Sequence, residues 1–162
     1  MCLGMDKGAH FYRCDFQVHT PRDRQWAGPA CVTDDERTAY ANDLVEACRA
    51  KGLNAIAITD HHDMTFVPFV QRAAFAETDA TGHALEPEKR LVVFPGIELT
   101  LAVPCQAILI LDADFEDNRF GAVLTALAIN PAPDGDSKTA ETTRLENIQS
   151  LRTLKEKLDE HV

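Results

Sequence analysis

Three short segments of this chain carry side chains that could do chemistry. Residues 13–23 read RCDFQVHTPRD, where Phe16 and Val18 alternate with Asp15, Gln17 and His19. That is the pattern of a short β-strand with three polar side chains on one face, ending at a proline. Residues 59–63 read TDHHD at the end of an apolar run, and residues 95–100 read PGIELT, which brings Glu98 and Thr100. Imidazoles and carboxylates gathered at one sheet edge are the donor set for Zn²⁺, Mn²⁺ or Fe. Such an ion activates a bound water for hydrolysis, often of a phosphate ester. Two histidines spaced as Gln17 and His19 are would read as a metal pair on a strand end. Here one of them is glutamine, whose neutral amide oxygen is a poorer Zn²⁺ ligand than imidazole.

Each segment alone has a plainer reading. His19 suits a hydrogen-bonded structural residue, DHHD a surface turn, and Glu98 a solvated charge beside a Pro-Gly turn. Their common placement at three successive strand ends points instead to one shared site, because parallel α/β folds collect functional groups at the carboxyl ends of strands.

The elements that must position these residues alternate. The first strand spans about 12–19. Thr33–Glu36, TDDE, has the spacing of a capping box and starts a helix that Gly52 ends after Lys51. Leu53–Ile58 is a continuous apolar run, as in a strand buried on both faces. A helix over 66–76 follows, then a third strand, 90–100, broken at Pro95-Gly96. The fourth strand, 105–114, has Gln106 near its start and Asp112 and Asp114 near its end. A helix over 117–128, a flexible linker or loop at 130–141 and an amphipathic helix at 142–162 complete the chain. The last helix carries Leu145, Ile148, Leu151, Leu154 and Leu158 as one stripe. Successive β-then-α units predict an α/β domain over 1–129, made of four such units on a mostly parallel sheet, with the last helix continuing it. A closed barrel takes about 250 residues, so 162 residues would give an incomplete one.

Bulk composition narrows the function. The 16 basic and 26 acidic side chains leave a net charge of −10, which argues against direct nucleic-acid binding through phosphate neutralisation. Cys2, Cys14, Cys31, Cys48 and Cys105 are odd in number and contain no CxxC pair. With no secretory signal evident, they read as reduced thiols of a cytoplasmic protein. The apolar runs are too short to span a membrane.

DFQVHT, GLNAIAITDHHD and FPGIELT, in this order and spacing, resemble the first three motifs of the PHP (polymerase and histidinol phosphatase) family of metal-dependent phosphoesterases, over about residues 12–112. The resemblance implies a distorted, TIM-like (β/α)₇ barrel, incomplete in this chain, that binds two or three metal ions and hydrolyses phosphoesters. It implies His19, His61 and Glu98 as metal ligands and catalytic residues, with Asp23 as a weaker further ligand. Asp15 and Asp60 match acidic positions that support the histidines. Gln17 and Gln106 stand where the family has ligand histidines, and His62 falls where it accepts several residue types. The late ligands of the family have no counterpart, since the only histidine after Glu98 is His161. Either the later strands lie beyond Val162 or the domain is a shortened one, and the uninterrupted final stripe favours the former.

The segments QVHTPRDRQW and PCQAILILD are also similar to a PHP subgroup fused to large coiled-coil ATPases of the chromosome-maintenance (SMC-like) type. The expected activity is hydrolysis of a small phosphoester or nucleotide-type substrate, with one divalent ion (Zn, Mn or Fe) rather than three. Arg13, Arg22 and Arg24 are candidate phosphate contacts. The alternative, motivated by Gln17 and Gln106, is a non-catalytic PHP scaffold that binds or regulates a fused or associated ATPase. A nucleic-acid-processing module is disfavoured by the charge. A partial barrel exposes apolar edges, so self-association is expected through the last stripe or the open sheet edge.

Overall fold

The structure, a computed structural model, describes residues 10–136, 138 and 144–159. Among them, β1 (Cys14–Val18), β2 (Ala55–Ile58), β3 (Val92–Thr100) and β4 (Gln106–Ile110) form one sheet in that order. The α1 helix (Asp34–Ala50) follows β1, α2 (Val67–Phe75) follows β2, and α3 (Phe120–Ala126) follows β4 after one 3₁₀ turn. This is a mixed α/β architecture on a mostly parallel sheet. No helix among the described residues is long and apolar enough to cross a membrane.

Local chemistry accounts for these elements. Thr33 and Glu36 form the capping box that starts α1, each side chain meeting the other residue's backbone N–H. Gly52, at φ +69°, takes the left-handed turn after the helix. The buried stripe of α1 is Arg37, Ala41, Val45 and Cys48. The four residues of β2 are all buried, and β2 pairs in parallel with both β1 and β3. Ile56, Ile58, Val93, Ile97 and Leu99 join the core with α1 and α2. By alternation the other sheet face carries Val92, Phe94, Ile108 and Ile110. Phe16 lies on it as well, edge-on to Phe94 at 5.8 Å. On this face Phe16 is 44% exposed and Ile108 40%, so it is much less covered than its opposite.

Three expectations are corrected. First, β4 is antiparallel to β3, with Thr100 opposite Gln106 and Gly96 opposite Ile110. Only residues 101–105 connect the two strands, too few for the crossover a parallel pair requires. Asp112 and Asp114 therefore lie at the end of the sheet away from Glu98, and Gln106 lies at the end near it. Second, β3 runs unbroken through Pro95-Gly96. Pro95 pairs with Ile58, and its carbonyl accepts from Leu111 N–H at 2.8 Å. A Cβ at Gly96 would lie 2.9 Å from Thr59 Cγ2 and 3.0 Å from the Ile58 and Leu109 carbonyls, so the close approach requires glycine.

Third, the last helix, α4, is only Leu151–Asp159. Leu145 and Ile148 are buried before it begins: Leu145 bridges Leu101, and the Ile148 carbonyl accepts from Ala102 N–H. Leu151, expected on the buried stripe, is 67% exposed. Residues 142, 143 and 160–162 lie outside the described residues, His161 among them. The described part of 130–141 is a loop, one of the two forms expected of it, and it is held to the body. Buried Arg22 donates to the carbonyls of Ala132, Pro133 and Asp136, and Arg37 donates to Asp134.

Candidate metal centre

The site begins with an irregularity in β1. Asp15 pairs with Ile56 and Val18 with Ile58, so three residue steps on β1 match two on β2. The extra residue is a bulge, and it reverses the alternation. Asp15 and Val18 share the helix-covered side, whereas Gln17 reaches the open face and donates from Nε2 to Glu98 Oε2 at 3.0 Å. The expected support of the histidines by Asp15 is thus not formed. Its Oδ1 accepts from Gln17 N–H at 3.1 Å, and the residue is exposed.

Beyond the strand, Asp23 N–H donates to the Thr20 carbonyl, a turn that folds Asp23 back beneath His19. Asp23 Oδ2 stands 2.9 Å from His19 Nδ1 and 2.8 Å from His61 Nδ1, and accepts from His61 N–H at 2.9 Å. Its Oδ1 accepts from Gln25 N–H at 2.7 Å. The two imidazoles stack, with centroids 5.1 Å apart and planes 13° from parallel. His19, Asp23 and His61 form a cluster that could hold a metal ion.

On the far side of the rings lies Glu98, 2% exposed. Its Oε2 is 3.3 Å from His19 Nε2, and its Oε1 is 3.4 Å from His61 Nε2. Two ligands each about 2.1 Å from a tetrahedral ion stand about 3.4 Å apart, so both pairs have the separation of ligands sharing an ion. Gln106 completes the group, its Nε2 3.2 Å from His61 Nε2. Glu98 is fixed by its backbone, which donates to the Asp60 carbonyl and accepts from His62 N–H, each at 3.2 Å.

Asp60 acts at one remove. It is fully buried and accepts from Thr20 N–H at 2.7 Å and from Thr20 Oγ1 at 2.6 Å, which anchors the turn that carries Asp23. His62 is buried at φ +55°, and its Nε2 accepts from Thr100 N–H at 3.1 Å. It therefore ties the end of β3 to the TDHHD loop, as an accepted side chain rather than a ligand. Neither Thr20 nor this role of His62 was expected. A hydroxyl and a histidine beside the motifs were the available signals.

The electrostatics are strongly negative. Asp23, Asp60, Asp63 and Glu98 are all buried. The fully buried Arg22 pairs with Asp63 at 3.1 Å. Burial would raise the Asp23 carboxyl, but hydrogen bonds from the His61 ring and backbone and from Gln25 N–H outweigh it and hold Asp23 well below the usual range. Burial pushes Asp60 up to about 7 against the bonds from Thr20, with Asp23 and Asp63 adding to the rise. The bond to Asp23 raises His61 despite burial. Burial, then the neighbouring His61, lowers His62 to about 4.

Of the three arginines expected to contact phosphate, Arg22 is committed elsewhere. Arg22 has Nε on Asp63 and its other nitrogens on the 130–136 loop, so a buried phosphate contact there is excluded. Arg13 precedes β1 at the end remote from His19, where its backbone pairs with Asn54. Arg24 is exposed on the turn after Asp23. Compared with known proteins, the chain matches no family model and no curated protein.

Proposed function

We propose that this chain is a metal-dependent phosphoester hydrolase domain of the PHP type, in which His19, His61 and Glu98 hold a divalent ion. The observation that carries this reading is the convergence of two imidazole Nε2 atoms on the two oxygens of one buried carboxylate. A neutral ring whose Nδ1–H donates to Asp23 has its lone pair at Nε2. Neither Nε2 then offers a proton to the Glu98 oxygens that stand 3.3 and 3.4 Å away, an arrangement that calls for a cation between them. The carboxylate–imidazole pairing also fixes the tautomer and orientation of each ring, which is what a metal ligand needs.

A bound Zn²⁺, Mn²⁺ or Fe²⁺ would polarise a phosphate oxygen and lower the pKa of a water molecule it holds. The chain's own residues do the rest. Asp23 orients both rings, Asp60 and Thr20 hold the turn that carries Asp23, and the half-buried His19 marks the side open to substrate. A four-stranded sheet with its polar cluster at the end of β1, β2 and β3 fits an incomplete (β/α)₇ barrel. One ion fits these residues better than the larger set that the family implies, since Gln17 and Gln106 replace imidazoles.

A second reading, a non-catalytic scaffold for a fused or associated ATPase, draws on those same two glutamines, whose amides already occupy Glu98 and His61. Elemental analysis of protein purified without added metal separates the two readings, run beside a His61→Ala variant. Close to one equivalent of metal, lost in the variant together with Mn²⁺- or Zn²⁺-dependent hydrolysis of p-nitrophenyl phosphate esters, supports the hydrolase. A protein that takes up no ion after dialysis against Mn²⁺ or Zn²⁺ rejects it in favour of the scaffold.

A further inference from the structure

The two sides of the centre are not equivalent. Each imidazole faces one oxygen of Glu98 at nearly the same distance, but of the two rings, among the described residues, a side-chain amide is hydrogen-bonded only to His61 Nε2, from Gln106 Nε2 at 3.2 Å. A neutral imidazole has a single lone pair. With Nδ1–H donating to Asp23, that lone pair is at Nε2, and the Gln106 N–H occupies it. On the other side, Gln17 N–H donates to Glu98 Oε2. A carboxylate oxygen has two lone pairs, so this bond leaves one of them free. An amide therefore blocks His61 fully and Glu98 only in part.

We infer that Gln106 is a proton-donor cap on His61, so that an arriving ion first meets His19 and Glu98 and gains His61 as a ligand only when the Gln106 amide turns away. This rests on the metal reading of the preceding section and adds an affinity-setting residue to it. Gln106 begins β4, is exposed, and acts on the ion only through His61, which makes it a positioning residue. Its place comes from the antiparallel turn into β4, which returns the chain to the edge where β2 ends.

The test compares the wild type with Gln106→Leu, a change that keeps size, removes the donor and sits at an exposed strand position. Titration calorimetry with Mn²⁺ and with Zn²⁺ should show the variant binding about five-fold tighter, the equivalent of one ordinary hydrogen bond of about 1 kcal/mol no longer broken on uptake. Unchanged binding overturns the cap, and weaker binding overturns it by making Gln106 a ligand through its oxygen.

A second readout needs no metal. Nitrogen NMR of the metal-free protein should show the His61 Nε2 resonance moving in Gln106→Leu while the Nδ1–H bond to Asp23 persists. A resonance that stays in place overturns the cap even where the calorimetry agrees with it. If neither protein takes up an ion, the hydrolase reading fails, and the NMR shift alone then decides the cap.

Discussion

Asp23→Asn tests the keystone of the site with a nearly isosteric change. In the native arrangement one oxygen, Oδ2, meets three donors, and Oδ1 meets a fourth. An asparagine can keep its oxygen at the Oδ2 position only by turning its NH₂ toward Gln25 N–H, which loses that bond outright. The three remaining bonds become neutral. Hydrogen bonds to charged groups contribute about 1.5–3 kcal/mol and neutral ones about 0.5–1.5, so each retained bond weakens by roughly 1 kcal/mol. Together with the lost bond, itself one to a charged group, the change comes to about 4.5–6 kcal/mol. Urea denaturation of the metal-free protein at neutral pH measures it.

The acid side gives an independent check. The Asp23 carboxyl is held below its ordinary value in the folded state, so its stabilisation is complete above about pH 4 and is lost as the pH falls through the folded value. Asparagine has no such proton to take up. The difference between the two proteins should therefore shrink as the pH is lowered below about 4. Metal affinity should fall 10- to 100-fold, as when other partners of ligand imidazoles are removed. A loss below about 1 kcal/mol, or a difference that is constant from neutral pH to pH 3, would refute the role assigned to Asp23.

Three further outcomes follow from other contacts. Arg22→Met leaves Asp63 buried without its partner and should cost about 3–5 kcal/mol in denaturant unfolding, part of it restored by adding Asp63→Asn. Gly96→Ala drives a methyl against two backbone carbonyls and should cost about 1–3 kcal/mol, read as a fall in the thermal midpoint; an unchanged midpoint would contradict the tight crossing of β2, β3 and β4. Burial, aided by the negative charges of Asp60, Cys31 and Cys48, pushes the Tyr40 phenol up to about 12. Its contribution to stability is complete below pH 10 and is lost as the pH rises through 12. In a Tyr12→Phe variant, which leaves Tyr40 the only tyrosine, phenolate absorbance should appear near the upper value, and ionisation near pH 10 would count against it.

Features that depend on near neighbours were legible in the sequence. Thr33 and Glu36 are three residues apart and Gly52 is local to its turn, so α1 follows from its own residues. The strand ends carrying His19, His61 and Glu98 were legible too, because continuous apolarity marks buried parallel strands. Strand direction was legible in principle, as five residues between Thr100 and Gln106 cannot hold a crossover. The bulge that parts Asp15 from Gln17 has no sequence signature. The spacing of Leu145 and Ile148 imitates a helix although Leu145 is bridged to Leu101. The local signal for the true start of α4 was Ser150, whose Oγ accepts from Thr153 N–H. The reach of Asp23 to both rings depends on a turn and two strand ends meeting in space, which pattern alone does not encode.

The centre also bears on the order in which this chain folds. Gln17 meets Glu98 across 81 residues, Asp23 meets His61 across 38, and Gln106 meets His61 across 45. Contacts that close such long loops form late, after local helices and the β3–β4 hairpin. Bonds absent from the transition state change the unfolding rate rather than the folding rate. An ion held there would accordingly prolong the life of the native state without hastening its formation, and its capture would report that the chain from Gln17 to Gln106 has been assembled.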